Sequence, residues 1–195
     1  MKTRPNGSIA NLTGVILAGG RSSRFGTDKA FVLYRGRPFI QHTLDLMKKI
    51  FLEVVIMTNH PEKFDGFQTK ILKDEIPFQG PTGGIVTALE CVGDIFVVPC
   101  DMPLLSPKVI LGLLAKDNGS SVVMCRREGR LEPLCAIYRT SILPVLKSRL
   151  KSGQRELHSL LEDERVIEKQ IVPLEKGQCS SLLNVNTSAD LPRET

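Results

Sequence analysis

The sequence predicts an α/β fold, a three-layer sandwich with a mostly parallel, Rossmann-like sheet between helices on both faces. Three observations predict it. Short apolar runs of strand length alternate with stretches of helical periodicity, as right-handed βαβ crossovers require. The first run passes straight into a glycine-rich loop, at the carboxyl edge where open parallel sheets hold their ligands. The 195 residues, 42% apolar and 24% charged, suit one globular domain with a substantial core. That domain is expected to span 1–195, with its core at about 12–192 and 1–11 as a flexible lead-in.

Gly14 to Ala18 reads as the first strand, because four apolar residues run directly into Gly19 and Gly20. Pro38 to Phe51 reads as a helix, with Phe39, Ile40, Leu44, Met47 and Ile50 roughly on one face. Val54 to Met57 and Thr69 to Leu72 follow as strands. A loop rich in Pro and Gly, Pro77 to Gly84, opens a helix through Leu89. Ile95 to Val98 is a strand ended by Pro99, and Pro107 to Ala115 a helix beginning near Ser106. Ser121 to Cys125 and Leu134 to Tyr138 are further strands, with a hairpin before Pro133. Ile142 to Leu150 and Arg155 to Leu161 read as helices, Val166 to Val172 as a strand, and Leu182 to Val185 as a short returning strand.

Composition excludes several classes of function. No apolar run reaches the ~18 residues of a membrane span, and Met1 to Thr13 lacks an apolar signal region. Five cysteines without a C-x-x-C pair point to reduced thiols in the cytoplasm, not to a disulfide frame or zinc site. Three histidines, none in H-E-x-x-H, argue against a His-based metal centre. The net charge of +5 is spread along the chain and not interleaved with aromatics, so neither nucleic acid nor membrane is an expected partner.

The informative segment is Val15 to Ala30. Glycines leave backbone N–H groups free to face phosphate oxygens, and Arg21, Arg24 and Lys29 bring positive charge beside them. Such a loop points to a nucleoside triphosphate. It is not a Walker A loop, since Gly26 is followed by Thr27, and G-x-G-x-x-G is missing too. A lysine at the loop's end, Lys29, can reach the β- and γ-phosphates, and Arg24 can fork onto the α-phosphate; alternatively, Lys29 is a solvated surface residue. Asp101 lies just past the strand Ile95 to Val98. Mg²⁺ takes few protein carboxylates, so Asp101 can be its single direct protein ligand, or else a helix N-cap. Cys100 beside it reads as a packing residue. Asn59 and Asp74 also follow strands, where an amide and a carboxylate can read a base edge or ribose hydroxyls, or simply form turns. Asn184 and Asn186 alternate along a strand and share a face able to hold a polar acceptor, or are turn residues.

The loop L-A-G-G-R-x-S-R-F-G-x-D-K resembles the signature of nucleotidyltransferases that make activated sugars and cofactors. It is most similar to the molybdenum-cofactor guanylyltransferases, the MobA family, whose usual form has Met where Phe25 stands. Gln79 to Gly84 resembles the family's second loop, with Thr82 and Gly83 in place of the usual Leu-Ala. Leu183 to Leu191 resembles its N-x-N-T-P-E-D-L ending. The resemblance implies that Leu17, Ala18, Gly19, Gly20, Lys29, Asn59, Asp74, Pro81, Gly83 and Asp101 bind the nucleotide. Arg24, Lys29 and Asp101 would be catalytic, Asp101 would hold Mg²⁺, and Asn184 and Asn186 would bind the acceptor. Leu17 to Gly20 has the form seen in guanine-selecting members.

The implied reaction moves GMP from Mg·GTP to the phosphate of molybdopterin-bound molybdenum, releasing pyrophosphate. Apo-molybdoenzymes and other cofactor-biosynthesis proteins would be the partners. An acceptor phosphate is already an anionic nucleophile, which fits the lack of a Ser/His/Asp or Cys/His set. The alternatives are a cytidylyltransferase for the same cofactor, a sugar- or polyol-phosphate nucleotidyltransferase, or a non-catalytic nucleotide-binding protein. Arg126, Arg127, Arg130 and Glu132 either meet the acceptor's phosphate or form a solvated turn.

Overall fold

The computed structural model describes residues 12–19, 28–77, 79–162 and 169–174. Its centre is a seven-stranded sheet. In chain order the strands are β1 (Thr13–Leu17), β4 (Val54–Thr58), β5 (Lys70–Lys73), β6 (Ile95–Pro99), β7 (Val122–Arg127), β8 (Arg130–Tyr138) and β9 (Lys169–Pro173). Their spatial order is β5-β4-β1-β6-β8-β7-β9. β5, β4, β1 and β6 run parallel, β8 runs against both β6 and β7, and β9 pairs parallel to β7. The mostly parallel α/β sheet is therefore as expected.

Successive residues of each strand supply opposite core layers, because side chains alternate across a sheet. Ile16, Ile56, Phe96, Val98, Val123 and Ile137 pack against Ile40, Leu44 and Met47 of α1 (Phe39–Ile50) and Val109, Ile110 and Leu113 of α3 (Pro107–Ala115). Val15, Val55, Val97, Val122, Met124 and Ala136 pack against Ile85, Val86 and Leu89 of α2 (Pro81–Val92) and Leu146 of α4 (Leu143–Lys151). Leu157 of α5 (Leu157–Glu162) closes the second layer. The strands buried on both faces are continuous apolar runs, as their two-sided burial demands. α3 starts as expected: Ser106 accepts a hydrogen bond from Lys108 N at 3.2 Å, with Pro107 in the first turn.

Three features depart from the expected elements. A small hairpin, β2 (Leu33–Tyr34) with β3 (Arg37–Pro38), precedes α1. Its two-residue turn has positive φ at both Arg35 (50°) and Gly36 (71°), the twist that tight hairpins favour. α2 begins at Pro81, so Thr82, Gly83 and Gly84 form its first turn and do not lie in a loop. The β7–β8 hairpin extends beyond the expected strands to Arg127 and Arg130, around Glu128 and Gly129. Its pairing jumps from Met124↔Ala136 to Cys125↔Glu132, so Pro133, Leu134 and Cys135 bulge out of register. Proline has no N–H for a ladder, which accounts for a break at this point. Tyr138, fully buried, donates its hydroxyl to the Pro133 carbonyl at 2.7 Å. The expected strand at Leu182 to Val185 lies outside the described residues.

Candidate active site

The carboxyl ends of β1, β4, β5 and β6 are lashed together by backbone and hydroxyl hydrogen bonds. Ala18 N donates to Met57 O at 2.8 Å, Cys100 N to Leu17 O at 3.0 Å, and Asp74 N to Thr58 O at 2.9 Å. Thr58 Oγ1 donates to Ala18 O at 3.0 Å, and Asn59 Nδ2 to Gly19 O at 3.3 Å. Beside this edge lies a pocket of about 600 Å³. Leu17, Ala18, Gly19, Lys29, Asn59, Asp74, Pro81 and Asp101 all line it. Residues separated by up to 84 positions in the chain thus converge, as the sheet topology predicts for strand-end loops.

Asp101 sits immediately beyond Cys100 at the end of β6, its side chain 15% exposed. Its Oδ2 accepts a hydrogen bond from Lys29 Nζ at 3.2 Å. Its Oδ1 is buried and has no hydrogen-bond partner. A buried carboxylate oxygen without a donor is costly unless something else satisfies it. One carboxylate with a spare oxygen suits Mg²⁺, which fills its remaining positions with water and substrate phosphates. Among the described residues no group of three or more His, Cys, Asp or Glu could hold a metal. Asn59 Oδ1 is likewise buried without a partner, leaving an amide acceptor for a ligand.

Asp74 is 6% exposed, and its Oδ1 accepts from Ile76 N at 2.9 Å and Thr87 Oγ1 at 3.1 Å. It forms the turn after β5 and lines the pocket as well, so the turn-former and ligand readings are compatible. Gly83 is set back from the pocket. A Cβ there would lie 2.5 Å from Ile76 O, so only glycine lets α2 close on the turn that Asp74 organises. Thr82 Oγ1 donates to Arg155 O at 3.0 Å and ties the α4–α5 connection to the start of α2.

Burial pushes the Cys100 thiol far above its usual range, and the neighbouring Asp101 and Asp28 carboxylates push the same way. A neutral, buried thiol cannot serve as a nucleophile near pH 7. Arg127 forms an ion pair with Glu132 at 2.7 Å, and Arg126 donates to Gly129 O at 2.9 Å. These two arginines therefore stiffen the hairpin. Arg24, Gly20, Asn184 and Asn186 lie outside the described residues.

Several lining residues were not among the expected site residues, although Asp28, Gly80 and Gly84 lie within the two signature loops. Asp28, Gly80, Gly84, Leu134 and Arg155 all border the pocket. Leu134 arrives through the bulge at Pro133, and Arg155 through the Thr82 hydrogen bond. Asp28 could have been found as the residue capping a short 3₁₀ turn, since its Oδ1 accepts from Ala30 N at 3.3 Å.

The family model of the MobA-like NTP transferase domain matches residues 14–170, which carry every one of these pocket groups. The chain belongs to this family. As a MobA-like NTP transferase it is an enzyme, a nucleotidyltransferase. A relative from Thermococcus sibiricus, named "Probable molybdenum cofactor guanylyltransferase", is 35% identical over 192 residues, covering 93% of this chain and 96% of its own. One of the same name from Carboxydothermus hydrogenoformans is 33% identical over 186 residues, covering 93% and 94%. The crystal structure of molybdopterin-guanine dinucleotide biosynthesis protein A from Archaeoglobus fulgidus superposes with a TM-score of 0.80. It covers 92% of this chain and 94% of its own at 24% identity, and so bears on the fold. No helix among the described residues of this MobA-like protein is long and apolar enough to cross a membrane.

Proposed function

We propose that this nucleotidyltransferase moves GMP from Mg·GTP to the terminal phosphate of molybdopterin-bound molybdenum, forming the guanine dinucleotide cofactor and pyrophosphate. The carrying observation is Asp101: one carboxylate oxygen held by Lys29, the other buried and unpartnered, in a pocket it lines together with Gly19. An acceptor-phosphate oxygen would attack the α-phosphorus, forming the new P–O bond as the bond to the β-phosphate oxygen breaks. Pyrophosphate takes the electron pair. The nucleophile is already anionic, so positioning and charge compensation are what the protein must supply.

In this reading Asp101 holds Mg²⁺, which when bound offsets phosphate charge as a Lewis acid. Lys29 offsets charge on the leaving group, and Arg24 has the same role at the α-phosphate. Asn59 and Asp74 would meet base and ribose from the ends of β4 and β5, and Leu17, Ala18, Gly19, Gly20 and Pro81 are assigned to the rest of the nucleotide. Gly83 acts by packing, letting α2 approach. Asn184 and Asn186 are assigned to the acceptor.

The names of the relatives support guanine and molybdopterin as substrates. Calorimetric titration with GTP, CTP, ATP and UTP, with and without Mg²⁺, tests base choice and metal use together. GTP should bind most tightly, and more tightly with Mg²⁺. Tighter binding of CTP would move the protein to the cytidylyl branch, and metal-independent, base-indifferent binding would end the proposal.

A further inference from the structure

We propose that Lys29 is a placeholder cation: in the nucleotide-free protein it neutralises Asp101, so divalent metal is admitted together with the triphosphate and not before it. The inference rests on the nucleotidyl-transfer reading above and adds an order of events to it.

Two ion pairs sit at the wall of the pocket. Asp101 Oδ2 is bound by Lys29 Nζ at 3.2 Å, and Asp28 Oδ2 by Lys63 Nζ at 3.3 Å. Both members of the first pair are mostly covered, at 22% exposed for Lys29 and 15% for Asp101. Salt screens such a pair far less than it screens surface charges. Mg²⁺ gives up its waters reluctantly and needs the undiminished charge of a carboxylate to do so. An ammonium already seated on Asp101 removes much of that attraction.

The geometry also shows which part of Lys29 is able to move. Its backbone lies in a short 3₁₀ turn, residues 29–31, capped by Asp28 through Ala30 N at 3.3 Å. Phe31 N donates to Asp28 O at 3.0 Å, and Ala30 is fully buried. The turn is fixed, whereas the four-carbon stem of a lysine is flexible and its ammonium acts as a point charge. A triphosphate tail along Gly19 is a stronger anion than one carboxylate. Lys29 would transfer to it, and Asp101 would regain its charge as the metal arrives on the same phosphates. Metal and nucleotide would thus bind with positive coupling, and linkage makes that coupling mutual.

The test uses the full chain, Mn²⁺ as the probe, and the electron paramagnetic resonance signal of free Mn²⁺ in the absence of nucleotide. Lys29→Met should bind Mn²⁺ at least about tenfold more tightly than the wild type. Lys29→Arg keeps the charge and should stay within about twofold of wild type. Adding Asp101→Asn to Lys29→Met should abolish the gain. Lys29→Gln is the second neutral variant should the methionine form fail to fold. Equal Mn²⁺ affinity in wild type and both neutral variants, or a gain that survives Asp101→Asn, would overturn the placeholder. A wild type that binds no GTP would instead remove the nucleotidyl-transfer reading, while the nucleotide-free titration would still judge Lys29.

Discussion

Two acids at the pocket do different work, and their hydrogen bonds tell them apart. Asp101 has a spare, buried oxygen, whereas Asp74 spends Oδ1 on the turn after β5. Asp101→Ala should therefore fold normally and lose turnover by about 10²-fold or more, as removal of a charge-stabilising group does; pyrophosphate release and a thermal melt check both halves. Thr87→Val should do the reverse. Thr87 Oγ1 donates to Asp74 and accepts from Glu75 N at 3.3 Å, yet it does not border the pocket. Its loss should cost about 1–2 kcal/mol of stability in denaturant titrations and raise KM for the nucleotide with kcat little changed. Cys100 gives a pH test. Its thiol is pushed up by burial and by two carboxylates, so its thiolate is scarce throughout the neutral range. Among the described cysteines, alkylation mapped by mass spectrometry should label exposed Cys91 first, and labelling of Cys100 should stay negligible between about pH 6 and 9.

Among the elements, α2 shows best what the sequence could and could not reveal. The apolar runs of β1, β4 and β6 were legible because two-sided burial keeps them almost continuously apolar. The start of α2 was not, because Pro-Thr-Gly-Gly reads as a loop by local preference. Tertiary packing wins there: Gly83 must approach Ile76 O, and Gly84 must fit against Met57 and Leu17. The β2–β3 hairpin was missed since its strands have two residues each and its turn is Arg-Gly, not Asn-Gly. Leu134 and Arg155 reach the pocket through a bulge and a long-range hydrogen bond, neither of which leaves a local pattern. The same packing makes a graded prediction. Gly83→Ala would bring a Cβ to 2.5 Å from a backbone oxygen that cannot turn aside. Gly84→Ala meets the flexible Met57 Cγ at 3.2 Å and Leu17 Cδ2 at 3.3 Å. Gly83→Ala should therefore cost about 1–3 kcal/mol and weaken nucleotide binding. Gly84→Ala should cost less, and calorimetric melts of the two would reveal a reversed ranking.

At the scale of the molecule, the sheet keeps its chemistry at one edge and much of its polar bracing at the other. The pocket lies at the carboxyl ends of the parallel strands, where β1, β4, β5 and β6 release Gly19, Asn59, Asp74 and Asp101. At their amino ends, Arg139 follows antiparallel β8 and clasps Asp117 with two hydrogen bonds of 2.8 and 2.6 Å from Nη2. Its Nη1 donates to Ser120 O at 2.6 Å, and Asp94 Oδ1 accepts from Thr140 N at 2.9 Å, so the turns before β6 and β7 join at one place. The Asp117 side chain is only 3% exposed and has Gly119 N as its other donor, so Arg139 supplies the opposite charge it needs. Arg139→Met keeps much of the stem but strands a buried carboxylate, at a cost of about 3–5 kcal/mol. For a chain of this size that corresponds to a melting temperature lower by about 10 °C. Turnover and KM measured well below the melt should stay at wild-type values, because no group of the pocket touches the clasp. Adding Asp117→Leu should restore much of the lost stability, since a buried ion pair exchanged for apolar packing is often neutral. A fall in kcat that the second substitution does not repair would show that the two edges of the sheet are coupled.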